Sequence, residues 1–188
     1  MRVIAGTARS LKLITPKGMD VRPTTDRIKE TLFNILTPYI AGCRFLDLFC
    51  GSGAIGIEAL SRGAVSCTFV DMSGISCDCT KKNLEHTKLV DNASIIHMDV
   101  LSAVNKLSGS GQVFDIIFMD PPYERKFEKS VVELPSCYDI LDNDGMIIIE
   151  ASSDTGFEYI ADSRFEIVRE KSYGSNKHIF LKKRNNDV

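Results

Sequence analysis

Several absences narrow this chain before any motif does. No window approaches the roughly 18 consecutive apolar residues of a membrane-spanning helix, and the first residues hold no signal-peptide h-region. A cytoplasmic protein with no membrane partner is expected. The cysteines (Cys43, Cys50, Cys67, Cys77, Cys79 and Cys137) form no CxxC pair and no Cys/His ligand spacing. Several sit in apolar runs, where a reduced thiol behaves as a small hydrophobe. His86, His97 and His178 are scattered, so no metal site is expected and none of the three is given a catalytic role. There is no repeat, linker or low-complexity segment, and no apolar stripe that would ask for a second subunit, so a monomer is expected.

Excess charge of one sign is also missing, since the net charge is −2, but its distribution is uneven. Residues 1–30 hold seven basic side chains (Arg2, Arg9, Lys12, Lys17, Arg22, Arg27, Lys29) against three acidic ones, a local +4 that leaves −6 for the rest. Lys182-Lys183-Arg184 forms a second basic cluster. Basic ends on a mildly acidic body suit a local contact with a polyanion, although solvated surface charge explains them as well.

The 188 residues, 44% of them hydrophobic, are enough for one well-formed core. Residues 1–16 alternate weakly around Gly6-Thr7 and read as a small β-hairpin. A helix follows, capped by Thr25 or Asp26, with Ile28, Leu32, Ile35 and Leu36 on its inner face and Pro38 at its end. Backbone amides near Thr24 and Thr25 would suit an anion such as a carboxylate. From Cys43 onward, apolar runs at 44–49, 65–70, 94–98, 113–119 and 145–149 alternate with helix-like stretches at 54–62, 74–86, 100–107 and 126–134. That alternation predicts an α/β chain with a mostly parallel sheet. Segments 164–168 and 178–181 predict a closing antiparallel hairpin.

Ligands of such sheets bind beyond the carboxyl ends of the strands. The first strand runs into Asp47-Leu48-Phe49-Cys50-Gly51-Ser52-Gly53, and Gly51 and Gly53 permit a tight turn with close backbone approach. With Gly56 they fit GxGxxG, and Asp71 lies about 20 residues on, as a nicotinamide site requires. A dinucleotide-dependent oxidoreductase is therefore a rival reading. Against it, Asp47 is ill-suited to a pyrophosphate but suits the cationic part of S-adenosylmethionine. Asp71 can accept from both ribose hydroxyls, and Asp99 from an adenine amino group. Each aspartate alone is commonly a cap or turn residue, but here they end successive strands. The fourth such run, 114–119, ends in Asp120-Pro121-Pro122-Tyr123. There a carboxylate, a proline carbonyl with no competing N–H and a flat ring would grip a planar base through its amine.

Together these motifs resemble those of class I S-adenosylmethionine-dependent amino-methyltransferases. Residues 22–34, with the opening Met1-Arg2-Val3-Ile4-Ala5-Gly6, narrow the resemblance to the bacterial RsmD family, over essentially the whole chain. The resemblance implies a Rossmann-like seven-stranded sheet with a C-terminal antiparallel hairpin, preceded by a β-hairpin and helix extension. It divides the chain into an extension over 1–40 and a methyltransferase domain over 41–188. It also implies transfer of a methyl group to N2 of a guanine in 16S rRNA, guanine-966, free or in an assembling small subunit, leaving S-adenosylhomocysteine. Asp120, Pro121, Pro122 and Tyr123 would be catalytic. Thr24, Asp47, Gly51, Gly53, Asp71 and Asp99 would hold the cofactor, and Arg9, Arg22 and Tyr123 the RNA. Asp71 stands where a glutamate is common, which shortens the reach but keeps the carboxylate. An amino-methyltransferase acting on DNA adenine or cytosine, or on protein glutamine, uses a similar tetrapeptide. A non-catalytic RNA-binding module would explain the basic ends but not the aspartates.

Overall fold

The computed structural model describes residues 1–15, 26–122 and 126–184. Two compact units divide the chain, Met1–Asp99 and Val100–Val188. The chain has seven strands in a mostly parallel sheet, with its C-terminal strands antiparallel.

The first unit holds α1 (Asp26–Ile40), β1 (Arg44–Leu48), α2 (Ala54–Ser61), β2 (Ser66–Asp71), α3 (Gly74–Thr87) and β3 (Ala93–His97). β1 pairs parallel with β2, and β2 with β3. The apolar runs of β1 and β2 are buried along almost their whole length, as strands covered on both faces must be. Gly56 lies where α2 packs on the sheet: a Cβ there would come within 2.3 Å of the Phe69 ring and 2.5 Å of Cys67 Sγ. Its role is helix–sheet packing rather than ligand contact.

Two local expectations are corrected in α1. The helix continues through Pro38 to Ile40, because the proline sits in the last turn and forfeits a single backbone bond. Its buried face is Lys29, Leu32, Phe33, Leu36 and Ile40, with Ile28 and Ile35 only half-buried. A lysine replaces the expected isoleucines because Glu58 of α2 awaits it: Lys29 Nζ lies 3.0 Å from Glu58 Oε2, both side chains at 0% exposure.

The same glutamate fastens the N-terminal segment. Ile4 and Ala5 donate their backbone N–H groups to Glu58 at 2.8 and 3.0 Å, and Arg62 Nε donates at 2.7 Å. Lys29 Nζ also donates to the Arg2 carbonyl at 2.6 Å. Ser61 accepts from Ala8 N and donates to the Ala5 carbonyl. Gly6, with φ +84°, presses so close that a Cβ would lie 1.7 Å from the Ser61 carbonyl oxygen. The expected hairpin over 1–16 is reduced, among the described residues, to one antiparallel bridge, Arg2↔Lys12. Flanking bonds run from Val3 N to Leu11 O and from Leu13 N to Met1 O. Its anchorage to α1 and α2 replaces a longer ladder.

The second unit holds α4 (Val100–Gly109), β4 (Phe114–Met119), α5 (Phe127–Val132), α6 (Pro135–Ile140), β5 (Leu141–Ser152), β6 (Phe165–Tyr173) and β7 (Asn176–Lys183). β4 pairs parallel with β5, ending at Met119↔Ile149, and β6 and β7 form the expected hairpin. Helix α6 lies beyond the helix-like stretches of the sequence, although Pro135 occupies its first turn, a favoured start position. β5 begins four residues earlier than its apolar run, at Leu141, with a register shift before Ile116↔Met146. All six cysteines are buried and free. No helix among the described residues is long and apolar enough to cross a membrane.

Candidate active site

In the first unit the site is a backbone turn surrounded by carboxylates. After β1 the chain reverses through Phe49 at φ +62°, Gly51 at +55° and Gly53 at +74°. A phenylalanine in the left-handed region is strained, and it is held there by the turn that follows. Gly53 N donates to the Cys50 carbonyl at 2.7 Å, and Cys50 N to the Val70 carbonyl at 3.0 Å. A Cβ on Gly53 would strike Thr80 at 2.7 Å, whereas one on Gly51 would meet nothing within 4 Å. Gly53 therefore closes the turn against α3, and Gly51 lines open space. Thr80 Oγ1 donates to the Gly51 carbonyl at 3.1 Å and Asn83 Nδ2 to the Ser52 carbonyl at 2.9 Å, holding the turn from behind.

Asp71, at the end of β2, accepts from Gly51 N through Oδ2 at 2.9 Å and from Ser73 N through Oδ1 at 2.8 Å. Each carboxylate oxygen keeps a second lone pair for a further donor. Asp47 is 2% exposed and accepts from Gly56 N at 2.9 Å. Burial raises its carboxyl to about 7, with the Asp71 charge adding and the Gly56 amide opposing. Asp99 is exposed, just beyond β3, and Met98 N donates to the Asp71 carbonyl at 3.1 Å. So Asp47, Gly51, Gly53 and Asp71 are brought together directly, and Asp99 follows from the same rim. Open space at Gly51 beside hydrogen-bond acceptors fits a ligand rich in hydroxyls and positive charge. It does not fit a pyrophosphate, which would meet the carboxylates. S-adenosylmethionine is of the fitting kind.

In the second unit, Asp120 follows β4 directly and is half-buried; Pro121 is buried and Pro122 exposed. Ile117, Phe118 and Met119 before them are buried at 0%, 1% and 0% exposure, so Asp120 follows directly on a fully packed strand. Tyr123 lies outside the described residues, as do Arg22 and Thr24. Next to Asp120 in the register, Glu150 follows Ile149 on β5 and accepts from Asn176 Nδ2 at 3.2 Å. Its other oxygen lies 3.1 Å from His178 Nε2. His178 is fully buried among Phe118, Tyr173 and Phe180. The sequence does not disclose this pair, because an isolated histidine carries no spacing signal.

Basic residues sort into engaged and available. Arg2 pairs with Asp26 at 3.1 Å and Lys29 is buried, whereas Arg9, Lys12 and Arg27 are exposed. Within the C-terminal cluster, Arg184 donates to carbonyls of Ile160, Ala161, Ser163 and Phe165. Lys183 Nζ donates to Asn143 and sits 4.2 Å from the Tyr138 ring centroid. Both are structural ties, so the polyanion contact expected at this end does not rest on them.

A family model described as conserved hypothetical protein 95 matches residues 1–182. The chain belongs to this family. The same grouping holds the RsmD proteins that the motifs resemble: ribosomal RNA small subunit methyltransferase D of Escherichia coli is 35% identical over 174 residues. That alignment covers 93% of this chain and 85% of the relative. YlbH of Bacillus subtilis is 37% identical over 185 residues, 98% of this chain and 100% of YlbH. Among solved structures, a hypothetical protein of Thermus thermophilus is similar to it with a TM-score of 0.84 at 26% identity. The match covers 97% of this chain and 99% of that one. Membership in the RsmD family spans both units.

Proposed function

We propose that this RsmD-family protein transfers a methyl group from S-adenosylmethionine to N2 of a guanine in small-subunit rRNA. By the family resemblance, the guanine is guanine-966. The observation that carries the reading is the glycine turn lashed to Asp71, with open space at Gly51 and carboxylates at its rim. The cofactor, when bound, supplies an electrophilic methyl group on a sulfonium. Everything else falls to the chain's own side chains.

Asp71 accepts from the ribose hydroxyls, Asp99 from the adenine amine, and the turn at Gly51 and Gly53 lets backbone approach closely. Asp47 faces the cationic end, and Thr24 offers its backbone amide to the carboxylate. At the other reactant, the guanine amine is a poor nucleophile because its lone pair is delocalised into the ring. Asp120 and the Pro121 carbonyl accept its two N–H bonds and localise that pair. No proton leaves beforehand, since the amine is far too weak an acid. Positive charge grows on nitrogen during attack, so these acceptors stabilise the transition state more than the ground state. Once the nitrogen is methylated it is strongly acidic, and its proton passes to Asp120 or water. Pro122 stiffens the turn. In-line placement of the reactants contributes up to about 7–11 kcal/mol in favourable cases. Tyr123 stacks on the extruded base, worth about 1–3 kcal/mol.

Residues 1–40 form the RNA-facing extension of a methyltransferase body over 41–188. There Arg9 and Arg22 meet phosphates, with affinity falling as salt rises. An rRNA substrate makes the protein cytoplasmic, and it acts as a monomer. The test is methylation of small subunits, and of naked 16S rRNA, from a strain lacking the enzyme, followed by mapping of the modified base. N2-methylguanine at position 966 is expected. A methyl group on an adenine, or no transfer to either substrate, overturns the reading.

A further inference from the structure

We propose that Asn83 couples the N-terminal segment to the glycine turn, so that RNA and cofactor bind with positive cooperativity. The proposal rests on the functional reading above. Asn83 is fully buried on α3, and its side-chain amide is spent on two distant parts of the first unit. Oδ1 accepts from Ile14 N at 2.8 Å, and Nδ2 donates to the Ile14 carbonyl at 2.9 Å. The second Nδ2 donor goes to the Ser52 carbonyl at 2.9 Å, between Gly51 and Gly53. With an N–H on one side and two carbonyls on the other, a single orientation of the amide satisfies all three bonds.

What holds Ile14 is this amide rather than packing. The Ile14 side chain is 53% exposed, and beyond Asn83 its carbonyl has only a weak thiol donor among the described residues, Cys79 Sγ at 3.3 Å. The same stretch carries Arg9 and Lys12 exposed, and the bond from Leu13 N to Met1 O ties it to the anchored strand segment. One helical turn before Asn83, Thr80 holds the Gly51 carbonyl but no described residue of the N-terminal segment. Asn83 therefore bridges and Thr80 merely supports. A planar amide cannot shift toward Ile14 without dragging or releasing the Ser52 carbonyl. Phosphate contacts that fix the segment thereby fix the turn, and the ordering cost is met once rather than twice. By linkage the cofactor must tighten RNA binding by the same factor. Asn83 is a positioning residue, since it touches neither ligand.

The experiment measures the S-adenosylhomocysteine Kd of the full chain with and without saturating small subunits from a strain lacking the enzyme. It covers wild type, Asn83→Ala, Asn83→Asp and Thr80→Val, with amide exchange at residues 50–53 of the wild type followed in parallel. RNA is expected to tighten wild-type binding about 5-fold or more, and to slow exchange in the turn before any cofactor is added. In both Asn83 variants the ratio should fall to about one. Thr80→Val should weaken binding equally with and without RNA, leaving the ratio intact. A wild-type ratio of one, or a ratio preserved in a folded Asn83 variant, overturns the coupling. Should both Asn83 variants fail to fold, unchanged turn exchange in the wild type overturns it, and slowed exchange supports it. Absence of any S-adenosylhomocysteine binding sinks the functional reading and the coupling with it. Independent binding of both ligands sinks the coupling alone.

Discussion

Gly51 N donates to Asp71 Oδ2 at 2.9 Å, so the turn after the first strand and the carboxylate after the second hold each other in place. Replacing Asp71 therefore does two things at once. Asp71→Ala removes the proposed ribose acceptor and frees the Gly51 and Ser73 amides. With charge-assisted bonds worth about 1.5–3 kcal/mol each, S-adenosylhomocysteine affinity should fall at least about tenfold. Calorimetry reads this directly, and unchanged affinity would remove Asp71 from the cofactor site.

Asp120→Ala should separate chemistry from binding. Loss of one acceptor aimed at developing charge typically costs about 10²–10³ in kcat. Single-turnover methylation of small subunits should slow by at least that factor, while the Kd of S-adenosylhomocysteine moves by no more than a few-fold. Normal turnover in this variant would refute the role given to Asp120.

Asp47 makes ligand-free stability depend on pH. Its carboxyl is raised to about 7, chiefly by burial, against an ordinary value of 3.8. Between those values the folded state holds a proton that the unfolded chain has released. Stability is therefore fully present below about pH 4 and declines as pH rises through about 7, by about 4 kcal/mol at most. Asp47→Asn keeps an acceptor for Gly56 N and does not titrate. Urea midpoints at pH 5, 6.5 and 8 should fall more steeply for the wild type than for the variant, and parallel slopes would exclude the effect.

The buried Lys29–Glu58 pair sets up a stability test. Glu58→Gln leaves the Lys29 ammonium without its counter-charge at 0% exposure. Breaking such a pair from one side costs about 3–5 kcal/mol, whereas Lys29→Met combined with Glu58→Gln should recover much of that loss. Denaturant unfolding gives both numbers. A single-variant cost under about 1 kcal/mol would show that the pair is not isolated from water.

The central strands were legible as apolar runs with an aspartate at or beside the end of several: Asp47 in β1, Asp71 closing β2 and Asp120 after β4. The same aspartates made a candidate site legible, since ligands of parallel sheets bind beyond the strand ends. What escaped reading has a physical pattern. Lys29 scores as polar by composition, and only a glutamate from 29 positions away makes it a core residue. Asp142, Asn143 and Asp144 disfavour strands intrinsically, yet they fall within β5, whose pairing with β4 already begins at Leu141. Asn83 looks like any polar residue in a helix, and its meaning appears only when Ile14 and Ser52 are seen on either side of it.

Gly6, pressed against the Ser61 carbonyl, limits how the first residues of the chain can change. The N-terminal segment is held on α2 by a glutamate, a serine and a glycine-sized gap together, with a lysine supplied from α1. A recombination event that delivered residues 1–13 to an unrelated methyltransferase would bring the key without the lock. The first residues and the helices that grip them are therefore fitted to each other, and a change on one side calls for a matching change on the other.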